Sequence, residues 1–248
     1  MMRFLPAAAV IILGMAALPA VAEDYVVIES SMQSLAVGAT LSSGAKLDVP
    51  QQQRVVLMAA SGQVVAVNGP FQGPPPAPGS GPPQGAGGDV LKIVPTLLGK
   101  SDERQTPGVA RALDWHSDAI KTVDEALAVD VSDGGDKCIY DPGHVAVIHN
   151  PDKPGTMKVQ SMTDGAEAAL KWDRGALRQP WPSTLPLKDG DMFSFERAGE
   201  EQASVATIHL LPPPPSGAGD VQRALQMARA GCDGQARLLL AVIAKAAK

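Results

Sequence analysis

Short apolar runs alternate with turn residues between positions 23 and 72, a pattern typical of β-strands. The runs lie at residues 25–28, 35–37, 46–49, 54–58 and 63–67. Ala60-Ser61-Gly62 is a hairpin signal between the last two runs, and Asn68-Gly69-Pro70 ends the final strand. Strands this short and this closely spaced predict a small β-barrel or sandwich over residues 23–72.

A proline- and glycine-rich segment follows this first β region. Residues 73–88 have the sequence GPPPAPGSGPPQGAGG, which cannot bury an apolar core and therefore predicts a linker. Residues 89–126 are predicted to be a mixed, partly helical connector. It begins with an apolar segment at 90–98, which Pro95 interrupts, and leads into an amphipathic helix over 115–128.

A second β region is predicted over residues 127–215, where apolar runs again alternate with turns. Candidate strands lie at 127–131, 137–140, 144–149, 156–159, 168–172, 192–196 and 203–211. Their number and spacing predict an Ig-like β-sandwich, which the prolines at 212–215 terminate.

Helical periodicity appears in residues 216–248. Asp220 is placed to cap a first helix and Gly231 to end it, and Asp233 is placed to cap a second. The apolar stripes of the two helices are formed by Val221, Leu225, Ala228 and Cys232, and by Ala236, Leu239, Leu240 and Ile243. The sequence therefore predicts a mainly β protein with a C-terminal helical hairpin.

The first 22 residues have the pattern of a secretory signal peptide. Arg3 supplies the positive charge, residues 7–18 are apolar, and Ala20-Val21-Ala22 is a small-x-small cleavage site before Glu23. An apolar run of this length makes about 18 Å of helix, less than the ~30 Å of a bilayer core. We therefore expect a periplasmic or secreted protein with no membrane span after cleavage; an uncleaved anchor is the alternative.

Composition narrows the possible partners. The 248 residues are 45% hydrophobic and 19% charged, so a packed core is possible, and the formal net charge is −5. Binding to nucleic acid relies on clustered Lys and Arg that neutralise phosphates. An acidic chain without such clusters is not expected to have a nucleic-acid partner.

Cys138 and Cys232 are the only two cysteines in the chain. An even number of cysteines in an exported protein favours a disulfide. The bond would close a loop of about 94 residues, which the chain-entropy account values at on the order of 4.5 kcal/mol. Two buried free thiols or a metal pair are the alternatives, although two cysteines without a CxxC spacing form a poor zinc site.

Residues 37–70, VGATLSSGAKLDVPQQQRVVLMAASGQVVAVNGP, resemble the FecR-type domain, the exported module of bacterial signalling regulators. Cys138, the WPSTLPLKDGD stretch at 181–191 and Gly231-Cys232-Asp233 are similar to exported bacterial proteins that join such a module to a second β region and a helix pair. The resemblance implies a FecR-like fold for the first β region. It implies no activity and no functional residues.

The titratable residues suggest no assembled metal site. His144 and His149 are five residues apart, which places them on opposite faces of a strand, so we interpret them as strand-end residues near solvent. Asp130, Asp133 and Asp136 are spaced three apart, unlike the alternate acids of a calcium loop, and are predicted to form a solvated turn. No metal or cofactor is expected.

Motifs for nucleophilic or nucleotide chemistry are missing from the sequence, which has no GxSxG elbow, P-loop or Rossmann fingerprint. Trp172 and Trp181, with Arg174 and Arg178 between them, are a candidate platform for stacking a sugar. The competing interpretation is that both tryptophans pack in the core, because only 4% of the chain is aromatic.

The sequence leaves two hypotheses for function. The first is a non-enzymatic binding or scaffolding protein of the bacterial envelope, which would use free strand edges to bind a protein or glycan partner. The alternative is a carbohydrate-binding or hydrolytic protein that uses Trp172, Trp181 and nearby acids or histidines. The alternative requires these side chains to converge in one concave site.

Overall fold

A computed structural model describes residues 23–78, 89–99, 119–199 and 203–247 of the chain. The predicted signal segment and residues 79–88 of the predicted linker lie outside these ranges. The described residues form mostly β-sheet together with helices, two of which are C-terminal, so the mainly β expectation is confirmed. None of the helices in these ranges has the length and apolar character needed to cross a membrane.

The strands of the first β unit are β1 (Tyr25–Ser30), β2 (Thr40–Leu41), β3 (Leu47–Val49), β4 (Arg54–Ala59), β5 (Val64–Asn68) and β6 (Phe71–Gly73). Strands β2-β1-β4-β5 form one antiparallel sheet in that order, and β3 pairs with β6. The predicted hairpin at 60–62 joins β4 to β5, with Gly62 at φ +84°.

Two of the predicted boundaries in this unit were wrong. Residues 35–37 form a turn and no strand, and β6 extends beyond the expected end at Asn68-Gly69-Pro70. The chain passes very close to Pro50 at Gly69, where an added Cβ would lie 1.7 Å from the Pro50 carbonyl oxygen. Only glycine allows this approach, which lets β6 return beside β3.

Both faces of the first sheet are covered. Val27, Leu57 and Val67 on one face pack against the β3–β6 pair. Val26 and Met58 on the other face belong to a second core, which is shared with the helices. All residues of β4 after Arg54 are therefore buried, although β4 lies in a small antiparallel sheet.

The connector contains two described helices, α1 (Val90–Gly99) and α2 (Val123–Ala126). We expected Pro95 to interrupt the apolar segment, but α1 continues through it and buries Val90, Val94 and Leu97 on one face. The single helix expected over 115–128 was also wrong within the described residues. Thr122 and Glu125 form a capping box that begins a separate, four-residue helix.

The strands of the second β unit are β7 (Val129–Asp130), β8 (Gly135–Ile139), β9 (Ala146–Ile148), β10 (Gly155–Ser161), β11 (Glu167–Trp172), β12 (Arg178–Pro180), β13 (Met192–Arg197) and β14 (Ser204–Leu210). They form two sheets, β11-β10-β13-β14-β8 and β12-β9-β7, which contribute to one core. Each sheet contains one parallel pair, β14–β8 and β7–β9, unlike the antiparallel pairing expected of an Ig-like sandwich.

The C-terminal hairpin is confirmed as α3 (Asp220–Arg229) and α4 (Asp233–Ala246). The predicted caps were displaced by one residue, because Gly219 and Cys232 are the N-caps, so each Asp lies in the first turn. Gly231 ends α3 as expected, at φ +88°. The Cys232 amide donates to the Met227 carbonyl and the Gly231 amide to the Ala228 carbonyl, which is the Schellman arrangement.

The helices lie between the two β units and share one hydrophobic core with both. This core joins Val26 and Met58 of the first sheet to Val94 of α1, Leu239 of α4 and Ile148 of β9. One continuous core therefore spans the segments that the sequence predicts as separate regions on either side of the linker and the connector.

The side chains of Gln235 and Arg54 and one disulfide attach α4 to its neighbours. Cys138 of β8 is disulfide-bonded to Cys232, as predicted, and both residues are fully buried. Buried Gln235 accepts a hydrogen bond from the Cys138 amide at 2.7 Å and donates to the Leu127 and Ala128 carbonyls. At the other end of α4, Arg54 of β4 donates to the Ala244 and Ala247 carbonyls at 3.1 and 2.6 Å.

Removal of the disulfide is expected to destabilise the whole molecule. The double variant Cys138→Ala/Cys232→Ala releases a loop whose ends are 94 residues apart, which should lower the free energy of unfolding by about 3–4 kcal/mol. Urea denaturation of the oxidised protein and of the variant measures the difference. A change below about 1 kcal/mol would contradict a stabilising role for the bond.

Gln235 is expected to be the most sensitive polar residue of α4. Gln235→Met leaves one buried amide and two carbonyls without their partner, so we expect a loss of about 2–3 kcal/mol. Gln222→Met on α3 is the matched control, because the Gln222 side chain makes no hydrogen bond with a described residue. Equal losses in the two variants, measured by urea denaturation, would show that the Gln235 contacts add nothing.

Candidate functional site

The predicted tryptophan platform does not form. Trp172, at the end of β11, is 3% exposed and packs in the core of the second β unit. Arg174 lies exposed in the turn that follows, whereas Trp181 lies beyond β12 and is half-buried. Trp172 and Arg174 therefore do not join Trp181 in one ligand site. The competing interpretation, packing in the core, holds for Trp172, because strand parity directs it inward with Leu170.

Trp172 instead contacts His149, which we expected to lie near solvent. His149 is fully buried, and its ring centroid is 3.8 Å from that of Trp172. Its Nδ1 lies 3.1 Å from an Arg197 guanidinium nitrogen. Burial and the Arg197 charge lower the pKa of His149 to about 4, against the opposing effects of Asp130 and the Ala176 backbone. His149 is consequently neutral at pH 7.

The other histidines and aspartates considered as metal ligands do not converge on one site. His144 is exposed, and its Nδ1 lies 2.7 Å from Asp141. Asp136 lies 2.8 Å from His209. Asp130 is buried and accepts a hydrogen bond from the Ser132 amide, so it was wrong to place it in a solvated turn. Within the described ranges no three metal-ligating side chains come together.

An open cleft of about 630 Å³ lies beside β12. It is bounded by the turn at 142–146, by β12 with Trp181, and by the loop at 182–187. The Trp181 indole N–H donates to the Leu185 carbonyl at 2.6 Å, and its ring lies edge-on to Phe193 at 5.0 Å. These contacts hold the indole in one orientation at the cleft.

The cleft brings a histidine and a serine together without forming a hydrolytic triad. His144, which Asp141 orients, and Ser183 both line the cleft. No hydrogen bond joins the Ser183 hydroxyl to the His144 ring in the described structure. A triad requires that contact between nucleophile and base, so the arrangement offers a polar rim and not an activated nucleophile.

A second candidate surface is the free edge of β5. The Ala59 amide donates to the Gln63 carbonyl next to the hairpin turn. Because hydrogen-bonded pairs alternate along an antiparallel ladder, Val65 and Val67 of β5 are the next residues that exchange backbone hydrogen bonds with β4. The amides and carbonyls of Val64, Ala66 and Asn68 therefore point away from the sheet. None of these backbone groups has a hydrogen bond to a described residue along that edge.

No family model matches the chain, and no curated protein or solved structure shows significant similarity to it. The FecR-type resemblance of residues 37–70 stays a prediction. The cleft and the β5 edge are consequently the two candidate sites for function. The sequence pointed to Arg178 and Trp181 only as members of the platform, and it gave no indication that the turn holding His144 would face them.

The stability of the protein is expected to fall in mild acid because of His149. Its pKa of about 4 in the folded state lies below its ordinary value of 6.5, so protons bind the unfolded chain more readily between those values. The contribution is complete above about pH 6.5 and is lost as the pH falls towards 4, by on the order of 2 kcal/mol. His149→Phe should flatten this part of the stability curve, as measured by urea denaturation at several pH values. An unchanged slope in His149→Phe would contradict the assignment to His149.

Proposed function

We propose that this chain is a non-enzymatic, exported binding or scaffolding protein of the bacterial cell envelope. In this proposal a protein partner adds an extended strand to the free edge of β5. The observation that carries the proposal is the row of backbone groups at Val64, Ala66 and Asn68 that have no partner along this edge in the part of the chain that the structure describes. Such an edge provides main-chain hydrogen bonds for strand addition, while alternate side chains supply specificity.

The other sheet edges among the described residues are protected in ways that β5 is not. β11 carries Glu167 and Lys171, and β12 carries Arg178 and Pro180. Gln235 occupies the outer Cys138 amide of β8. Charges, prolines and covering side chains are common means of preventing strand pairing.

Strand β5 lacks these protective features. Its sequence, VVAVN, contains four consecutive apolar residues and neither a charge nor a proline. The remaining unpaired edges belong to strands of two or three described residues, β2, β3, β6 and β7. This contrast supports β5 as the edge that a partner uses.

Export is supported by two features. The first is the signal-peptide pattern over residues 1–22. The second is the Cys138–Cys232 disulfide, a bond that persists in oxidising compartments. The bacterial envelope provides such a compartment.

Ala66→Pro is expected to abolish partner binding while the fold is kept. Proline removes the outward amide of Ala66 and places a ring at the edge, where no β4 hydrogen bond is lost. Ala169→Pro is the matched control, because Ala169 is also an edge residue whose amide points away from its neighbour β10. Circular dichroism and thermal unfolding establish that both variants fold.

Partner binding is measured by photo-crosslinking in intact cells, with a photoreactive residue at exposed Asn68. We expect a crosslink to one identified envelope protein, lost in Ala66→Pro by at least about tenfold and kept in Ala169→Pro. Crosslinks that both prolines reduce equally, or that neither reduces, would contradict the proposal. A crosslink only to a second copy of this chain would also contradict it and would indicate self-association.

A further inference from the structure

The cleft beside β12 is a second feature with the properties of a binding site. Its volume of about 630 Å³ falls in the range of sites that hold small molecules or short segments of polymers. It lies on the second β unit, whereas the β5 edge belongs to the first, so an argument for one does not depend on the other.

Arg178 is the formally charged residue that lines the cleft, and no aspartate or glutamate is among the described lining residues. This is unusual on a chain whose net charge is −5. The Arg178 guanidinium is exposed and makes no hydrogen bond or salt bridge with a described residue, although its charge interacts favourably with the Glu125 carboxylate.

The carboxylates of Asp124 and Asp141 line a neighbouring hollow and not the cleft. A smaller hollow of about 230 Å³ shares His144, Val145 and Arg178 with the cleft, and Asp124 and Asp141 line it. The hydrogen bond from His144 lowers the pKa of Asp141, so its carboxylate is already engaged. An anionic ligand group would therefore be attracted to the larger cleft and repelled from the smaller hollow.

The remaining walls are rigid and mostly apolar. The Trp181 indole lines the cleft, and its position is fixed by the hydrogen bond to Leu185 and the ring contact with Phe193. Prolines occupy the rim on three sides, at Pro142, Pro180 and Pro186. Rigid walls of this kind lose little conformational entropy when a ligand binds.

We propose that this cleft binds an acidic saccharide, a sugar ring that carries a carboxylate. Arg178 is placed to receive the carboxylate, because its planar guanidinium can form two parallel charge-assisted hydrogen bonds with it. The apolar face of the ring packs on Trp181 and the proline rim. Ser183, which also lines the cleft and is exposed, supplies a hydroxyl group for the sugar hydroxyls.

The test uses the full, disulfide-bonded protein and two probes that share the same sugar rings and differ at the carboxyl groups, trigalacturonic acid and its methyl ester. Binding is followed by isothermal titration calorimetry and by quenching of tryptophan fluorescence. We expect the acid to bind at least about tenfold more tightly than the ester, since charge-assisted hydrogen bonds are lost in the ester. Raising the salt concentration should weaken binding of the acid alone.

Arg178→Gln should reduce the affinity for the acid to that of the ester. Arg174→Gln is the matched control, because Arg174 is also exposed, carries the same charge and does not line the cleft. It should change the affinity for the acid by less than about twofold. Both substitutions are at exposed positions, so thermal unfolding should show the same stability for the two variants.

Four results would overturn the proposal. The first is equal affinity for the acid and its ester, and the second is equal loss in Arg178→Gln and Arg174→Gln. The third is absence of binding at about 10 mM probe, well above the range of specific small-ligand affinities. The fourth is binding of benzoate as tightly as the trisaccharide, which would indicate a site for an aromatic acid and not for a sugar.

Discussion

The structure depends on how the start of α4 is attached to β8. Among the described strands β8 pairs with β14 alone, so its other edge has no strand neighbour. Gln235 occupies the Cys138 amide on that edge, and the disulfide from Cys138 to Cys232 lies directly beside it. A helix therefore covers the position where a further strand would otherwise add, and a buried donor that would be costly without a partner is satisfied.

The attachment matters because the first sheet cannot cover itself. Its strands present apolar side chains on both faces, and only one face packs on the small β3–β6 pair. The other face, with Val26 and Met58, requires α1 and α4. Arg54 completes this contact by donating to the final carbonyls of α4, the negative end of the helix dipole. The two β units thus share one helical layer, which is fixed to each of them by a different polar contact.

The sequence predicted the features that depend on a few neighbouring residues, such as a hairpin turn and the end of a helix. Gly62 and Gly231 were placed correctly, because a hairpin and a helix end both require a left-handed residue. The pairing of Cys138 with Cys232 followed from compartment and number. Pro95 was misjudged as a break, because burial of one face of α1 outweighs the single hydrogen bond that proline removes.

Three-residue strands such as β6 and β12 exist only through pairing with distant strands, which a linear pattern cannot show. The same limit applies to the cleft, where Arg178 and His144 approach each other through the β9–β12 pairing.

The position of α3 and α4 in the chain has a consequence for the order of folding. Both β units precede the helices that complete their shared core, so the apolar face of the first sheet is only partly covered, by α1, until the last helix has been synthesised. Most of the closing contacts join residues far apart in sequence, and Arg54 reaches a carbonyl 193 positions later. A topology of this kind folds slowly through intermediates that expose apolar surface and are prone to aggregate. A chaperone that shields the early segments would therefore assist folding.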